Sequence, residues 1–409
     1  MKAEPETGRQ RWSRLDGIDT LRSLAIFFVL MNHVNMRLIL ANVPYTNGLP
    51  ALLVHSLVWN GQFGVQIFFA VSGFLITSIS LRRWGSLAGV SIRDFYLLRF
   101  ARIVPLLLLL LAVLCALHFA NLKDFVVTPK TGGLSRALFA ALTFHVNVLE
   151  ARRGYLPGNW DILWSLSVEE MFYLFFPLLA KLLSRGKSFV ALLFVFVALG
   201  PIARTVFAQG NPVWEDYSYL GGMDAIALGC LTALLASRAR FSRSALRTFS
   251  TIGIALLVLI LGFSSTTAMR SLGRAGLDET FLAIGTCLII TAAAQTQWRS
   301  PRAFSLVLGL GRRSYEVYLT HMFIVFAYFN LFVKLGKPMW AVPVLFVVTI
   351  VAAALLGDLV ANYYSEPMNR RLRARWGERR LGSVIESETA APESNQSQPI
   401  RSINSQNAG

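Results

Sequence analysis

Ten stretches of mostly apolar residues, each close to the length that crosses a bilayer, constrain this chain more than any other feature of it. A hydrocarbon core of about 30 Å takes roughly 20 residues of helix, and inside it every backbone polar group must be satisfied by the segment itself. Windows of that size fall at residues 21–40, 62–80, 103–120, 163–183, 189–207 and 217–236, then at 246–263, 279–294, 314–333 and 340–364. The fold class they predict is all-α, a polytopic membrane protein of about ten transmembrane helices. Composition agrees. Only 15% of the 409 residues are charged, where a soluble domain carries about 25%, and mean hydropathy is +0.53.

The charges gather between the apolar runs and give the topology. With alternate connections on opposite sides, one side receives Arg9, Arg11 and Arg14, then Arg82, Arg83, Arg93, Arg99 and Arg102, then Lys181, Arg185 and Lys187. The same side holds Arg238, Arg240, Arg243 and Arg247, then Arg299, Arg302, Arg312 and Arg313, and the basic run 370–380. Basic residues there outnumber those on the other side by roughly 2.5 to 1, the bias that marks cytoplasmic loops. Both termini are therefore expected in the cytoplasm. The net charge of +17 is explained by this bias, and no nucleic-acid partner is expected, since no soluble segment alternates basic and aromatic residues.

Residues 134–149 are apolar but short, and a full crossing there would reverse every later loop. They are read as one re-entrant or interfacial helix, which with Arg152, Pro157 and Trp160 forms the largest feature on the outer side. The membrane domain is expected over residues 1–375 and a polar, disordered cytoplasmic tail over 376–409, where Ser, Glu, Asn and Gln dominate. No cleavable signal peptide is expected, because the first apolar run is long and no small-residue cleavage site follows it. Cys115, Cys230 and Cys287 lie within apolar runs without metal-like spacing and read as small buried hydrophobes; no metal site is predicted. The oligomeric state is not legible. No internal repeat of fixed period is visible, which counts against an inverted-repeat transporter.

Ionisable groups inside a span are costly and mark function or structural pairing. Arg22 and His33 lie eleven residues apart on the first helix, about three turns, so they share a face with roughly 16 Å between them. Arg22 sits at the cytoplasmic end, where a guanidinium can meet phosphate or carboxylate, and Asp19 lies one turn before it. His33 lies deeper, and an imidazole there can take a proton from a hydroxyl. Helix packing and snorkelling account for the same two residues. In GVQIFFAVSGFLIT (residues 64–77), Gly64, Ser72 and Gly73 allow close helix approach. Arg99 and Arg102, in FYLLRFARIVP, share a face at i and i+3; two fork-like donors so placed can hold phosphates or simply anchor the helix.

In NWDILWSLSVEEMFYLFFPLL (residues 159–179), Asp161, Glu169 and Glu170 enter an apolar span. Adjacent carboxylates point about 100° apart, and Glu169 shares its face with Tyr173 and Ser165. It can orient His33 or pair with a basic group. GRRSYEVYLTHMFIV (residues 311–325) places His321 in a span with Ser314 and Tyr318 on its face. In YYSEPMNRRLR, Glu366 and Pro367 are read as ending the last helix, and Asp224 and Gly229 in MDAIALG as packing. His55, His118 and His145 receive no role.

These blocks together resemble the acyltransferase-3 family, integral-membrane O-acyltransferases of surface glycans. IDTLRSLAIFFVLMNHV (residues 18–34) is similar to its first-helix signature of an arginine, ten residues and a histidine. GVQIFFAVSGFLIT, FYLLRFARIVP with its arginine pair, WSLSVEEMFYLFFPLL, and SYEVYLTHMFIV with YYSEPMNRRLR follow in the family's order, from about residue 15 to residue 375. Thr20 and Ser23 stand where the family often has glycines; both are small and are expected to pack. No fused esterase-like domain is expected to follow, so any partner acyltransferase would be a separate chain.

The resemblance implies an acyltransferase that moves an acyl group, acetyl first of all, from acyl-CoA as co-substrate to a hydroxyl of a carbohydrate or glycan acceptor. Arg99 and Arg102, with Arg22, would meet the donor's phosphates. His33 would act as general base or carry the acyl group transiently, and Glu169 would orient it or balance its charge. Asp19, Tyr173, Ser314, His321 and Glu366 would support the site. The rival from the sequence is a proton-coupled glycan or lipid transporter or flippase with His33 and Glu169 as a relay.

Overall fold

A computed structural model describes residues 15–184 and 187–376. Arg9, Arg11, Arg14, Arg185, the end of the basic run and the expected tail beyond Trp376 lie outside the described residues. Among those described, ten helices are long and apolar enough to cross a membrane. They contain α1 (Asp16–Leu40), α2 (Gly61–Trp84), α3 (Ile92–Phe119), α4 (Leu163–Leu183) and α5 (Ser188–Ile202). There follow α6 (Tyr219–Arg238), α7 (Arg243–Phe263), α8 (Asp278–Thr296), α9 (Ser314–Lys334) and α10 (Val342–Val360). No strand occurs among the described residues. The protein is an all-α polytopic membrane protein, with the span count expected from hydropathy.

Three boundaries differ from the hydropathy windows for physical reasons. Helix α3 begins at Ile92, eleven residues before its apolar window, because Ser91 caps it by accepting from the Asp94 N–H at 3.4 Å. Its first turns are basic and aromatic, which lowers hydropathy without lowering helix propensity. Arg99 and Arg102 thus stand on a continuous helix. At the other end of the chain, Glu366 and Pro367 do not terminate the last helix, which runs on to Trp376. A π turn at Ala361–Ser365 precedes them, and such a widened turn shifts the hydrogen-bond register where proline would otherwise leave a carbonyl unpaired. The expected short helix over 134–149 is two, Gly133–Leu142 and Val146–Arg153, broken near Phe144 at φ 56°. Neither has the length of a span.

Close approaches fix how the helices are rotated. A Cβ on Gly73 would lie 2.0 Å from the Ile226 carbonyl oxygen, and one on Gly229 2.1 Å from that of Ala70. Helices α2 and α6 therefore cross with backbones in contact, the use of small residues anticipated for this block. Ser72, one residue before Gly73 and about 100° round, is turned away from that crossing. Helix α1 packs on α2, on α9 and on the short helix Ser305–Arg312. There the Ser23 hydroxyl lies within hydrogen-bond reach of two carbonyls, that of Asp19 at 2.8 Å and that of Val307, which share its one hydrogen.

A buried ionic cluster ties α5, α6 and α8 together. Arg204, in the π turn Ala203–Phe207 that continues α5, donates to both carboxylate oxygens of Asp224 at 3.1 and 2.7 Å. It also donates to the Gly276 carbonyl from two nitrogens, to the Gly221 carbonyl and to Thr280. Glu279 lies 3.3 Å away and accepts from Gln66 of α2. Asp224, read from sequence as packing, is a member of this network.

Candidate active site

Arginines from four helices gather at the end of the bundle where α1 and α3 begin and α2 ends. They line a cavity of about 400 Å³. Arg22 comes from α1, Arg83 from α2, Arg99 and Arg102 from α3, and Arg373 from the continuation of α10. On α2 the lining runs from Arg83 and Trp84 down to Val65. Eighteen residues at about 1.5 Å each make roughly 27 Å. The cavity is long, and its lining passes from charged to mostly apolar surface.

The cations in it are thinly partnered. Arg102 donates to Glu316 at 3.0 Å, and Glu316 also accepts from Ser365 at 2.8 Å. Arg99 lies over the Tyr173 ring at 3.9 Å, and Arg22 stands 4.0 Å from Asp19. Asp19 has a closer partner in Arg312, at 3.1 Å. With the described residues, Arg83, Arg99 and Arg373 form no hydrogen bond and no ion pair. Glu169 and Glu170 line the wall from α4. Glu169 accepts from Ser72 and from Tyr173, which holds it in the wall beside Arg99.

The far end closes at Val65, Phe68, Ser165 and Tyr318. Tyr318 donates to the Ile162 carbonyl at 3.0 Å and shares a 2.6 Å hydrogen bond with Ser165, while Phe68 meets its ring edge-on at 6.2 Å. One turn further along α9 stands His321, fully buried, its ring 5.8 Å from Tyr318 and 5.0 Å from His33. His33 is thus outside the cavity wall by one aromatic layer. Beyond the pair lies the helix Gly158–Asp161, where a Cβ on Gly158 would sit 2.5 Å from Met322 and 3.3 Å from Arg37. Asn159 and Trp160 in it carry buried amide and indole atoms without a partner among the described residues.

The structure therefore brings Arg22, Arg99, Arg102, Glu169, Tyr173 and Ser314 around one cavity and puts His33 against His321 just past its end. It does not bring Glu169 to His33; Glu169 is engaged by Ser72 and Tyr173, because α4 presents it nearer the arginines. Asp19 faces Arg312, and Glu366 accepts from Arg313 and, at 3.0 Å, from Arg370, outside the cavity lining. Both support the bundle end and not the cavity wall. Glu316, Arg83 and Arg373 escaped sequence reasoning. Glu316 carried a usable signal, an acid one turn into an apolar span; the two arginines looked like ordinary loop charge.

The fold and cavity accord with the comparisons. Residues 15–358 match the family described as an acyltransferase domain. The O-acetyltransferase OatA of Staphylococcus aureus is 21% identical over 369 residues, covering 87% of this chain and 57% of that protein. The peptidoglycan O-acetyltransferase OatA of Listeria monocytogenes is 27% identical over 339 residues, covering 76% and 50%. The chain spans about half the length of these relatives. No solved structure matches it. The family match takes in most of the chain, including every membrane helix up to α10, and so this chain belongs to the acyltransferase-3 family of membrane proteins.

Proposed function

We propose that this chain is an O-acyltransferase of a bacterial inner membrane, moving an acyl group, acetyl first of all, from acyl-CoA to a hydroxyl of a carbohydrate or glycan. The observation that carries the reading is one cavity with five arginines at its mouth and an imidazole pair one turn beyond its closed end. Underpartnered guanidiniums suit the phosphates of a nucleotide-bearing donor, and the long apolar part suits an extended thioester arm. The positive-inside bias supports a cytoplasmic side for the arginine mouth, the side from which an acyl-CoA would enter. The orphan polar atoms of Asn159 and Trp160 suit a hydroxyl-rich acceptor from the other side. The printed names of both relatives, O-acetyltransferases, point the same way.

The donor's thioester passes the Tyr318 layer to meet His33. In one route the acceptor oxygen attacks the thioester carbonyl carbon while His33 takes the hydroxyl proton. The C–O bond forms, the C–S bond breaks, and the thiolate leaves and recovers that proton. In the other route a His33 nitrogen attacks the carbonyl carbon first and expels the thiolate; the hydroxyl oxygen then displaces the imidazole from the acyl group, and its proton goes to the thiolate. Both need His33 and an aligned donor.

Radiolabelled acetyl-CoA supplied to membranes containing the protein tests this, with surface-glycan mass spectrometry as the product readout. Wild type should transfer label and add an acetyl-sized increment, and His33→Ala should lose on the order of 100-fold or more. Normal transfer by His33→Ala would remove the proposed centre. Wild-type membranes that move glycan across the bilayer without transferring label would favour a transporter.

A further inference from the structure

We infer that His321 is a hydrogen-bond acceptor for His33, fixing its orientation and tautomer so that the two imidazoles act as one unit. The inference rests on the acyl-transfer reading above and adds the second histidine to it.

The tautomer of His321 follows from its partner. Its Nδ1 lies 2.6 Å from the Tyr318 carbonyl oxygen. A carbonyl oxygen only accepts, so Nδ1 carries the hydrogen, and in the neutral imidazole Nε2 is left with a bare lone pair. That Nε2 is buried and has no partner among the described residues. The carbonyl itself is well placed, because Tyr318 is anchored to the start of α4 through Ile162 and Ser165. A histidine present only for packing would not be held so that one nitrogen is satisfied and the other is an orphan acceptor in an apolar bundle, where such an atom costs stability.

The ring beside that acceptor is His33, at 5.0 Å between centroids with planes 45° apart. His33 brings the missing donor. When the single N–H of neutral His33 turns to the Nε2 lone pair of His321, its other nitrogen is left unprotonated, the form that accepts a proton or attacks an acyl carbon. Once it has taken the acceptor's proton, His33 carries two N–H groups: one remains on His321 and the other returns its proton to the departing thiolate. The bond to His321 is stronger with the cation than with the neutral ring, so the pair favours the transition state over the resting state. His321 touches neither donor nor acceptor and is a positioning residue.

Purified full-length wild type, His321→Gln, His321→Leu, His33→Ala and the double variant His33→Ala/His321→Leu separate the possibilities. Label transfer from acetyl-CoA gives kcat and KM, and thermal unfolding gives stability. His321→Leu is expected to lose on the order of 100-fold in kcat with KM for acetyl-CoA within about twofold. Glutamine keeps an acceptor oxygen in place of Nε2 and is expected to recover most of the loss. The double variant should be no slower than His33→Ala, as members of one unit are non-additive. Wild-type kcat in the leucine variant would overturn the inference, and so would glutamine and leucine falling together with their unfolding temperatures. If the leucine variant does not fold, His321→Met, closer in length, replaces it. Wild type that transfers no label would instead sink the acyl-transfer reading itself.

Discussion

Two regions of this protein gather arginine and carboxylate inside an apolar bundle, and they treat the charge in opposite ways. Around Arg204 one guanidinium is 4% exposed and every donor nitrogen has a partner, in Asp224, Thr280, Glu279 and two backbone carbonyls. In the cavity five guanidiniums meet one buried ion partner, Glu316, and a distant Asp19. A cluster that is complete in itself holds helices together. A cluster with surplus, solvent-reached cation, five guanidiniums against Glu169 and Glu170 in the wall and Glu316 beside it, has room for a further anion. Partner count, more than charge, separates a staple from a binding site.

The contrast is most exposed to failure at Arg204. Arg204→Ala leaves Asp224 and Glu279 buried without their cation and is expected to cost about 3–5 kcal/mol, read as a large drop in unfolding temperature or loss of extractable protein. An unchanged unfolding temperature would break the comparison. Arg99→Ala should do the reverse. It removes a donor able to meet an anion, worth about 1.5–3 kcal/mol, so KM for acetyl-CoA should rise roughly 10- to 100-fold with unfolding unchanged.

Arg102 belongs partly to each class and sharpens the division. Arg102→Ala strands Glu316, 1% exposed, and should lose about 1–3 kcal/mol of stability as well as donor affinity. Adding Glu316→Gln is expected to restore the stability and leave KM raised, which unfolding and kinetics on the double variant would check. Smallest of all are Arg83→Ala and Arg373→Ala at the exposed mouth. Each should raise KM only a few-fold, under about 1 kcal/mol, and the difference should shrink as salt is raised. A salt-insensitive effect would place these two deeper in recognition than their exposure suggests.

Much of the fold was legible because membrane insertion is decided locally. Twenty apolar residues exclude water whatever the rest of the chain does, and the span 163–183 coincides with Leu163–Leu183 of α4. The register of Arg22 and His33 was likewise fixed by one helix. What failed did so where hydropathy stops reporting helix, as at Ile92, or where a π turn altered a proline's effect, as at Glu366. Arg204 lay within a recognised span and Glu316 within a recognised block, yet neither could be read as staple or site without its partner.

The sequence by itself determined the all-α class, the ten spans, the basic side of the bundle and the candidate residues along single helices. Tertiary structure alone decided that Arg102 meets Glu316 across 214 positions of chain, that Glu169 turns to Ser72 and Tyr173, and that His33 faces His321. The reason is rotational. Periodicity fixes which residues share a helix face, but which faces meet depends on how helices far apart in the chain are turned. Backbone contacts at Gly64, Gly73 and Gly229 set how α2 is turned against α1 and α6, for example.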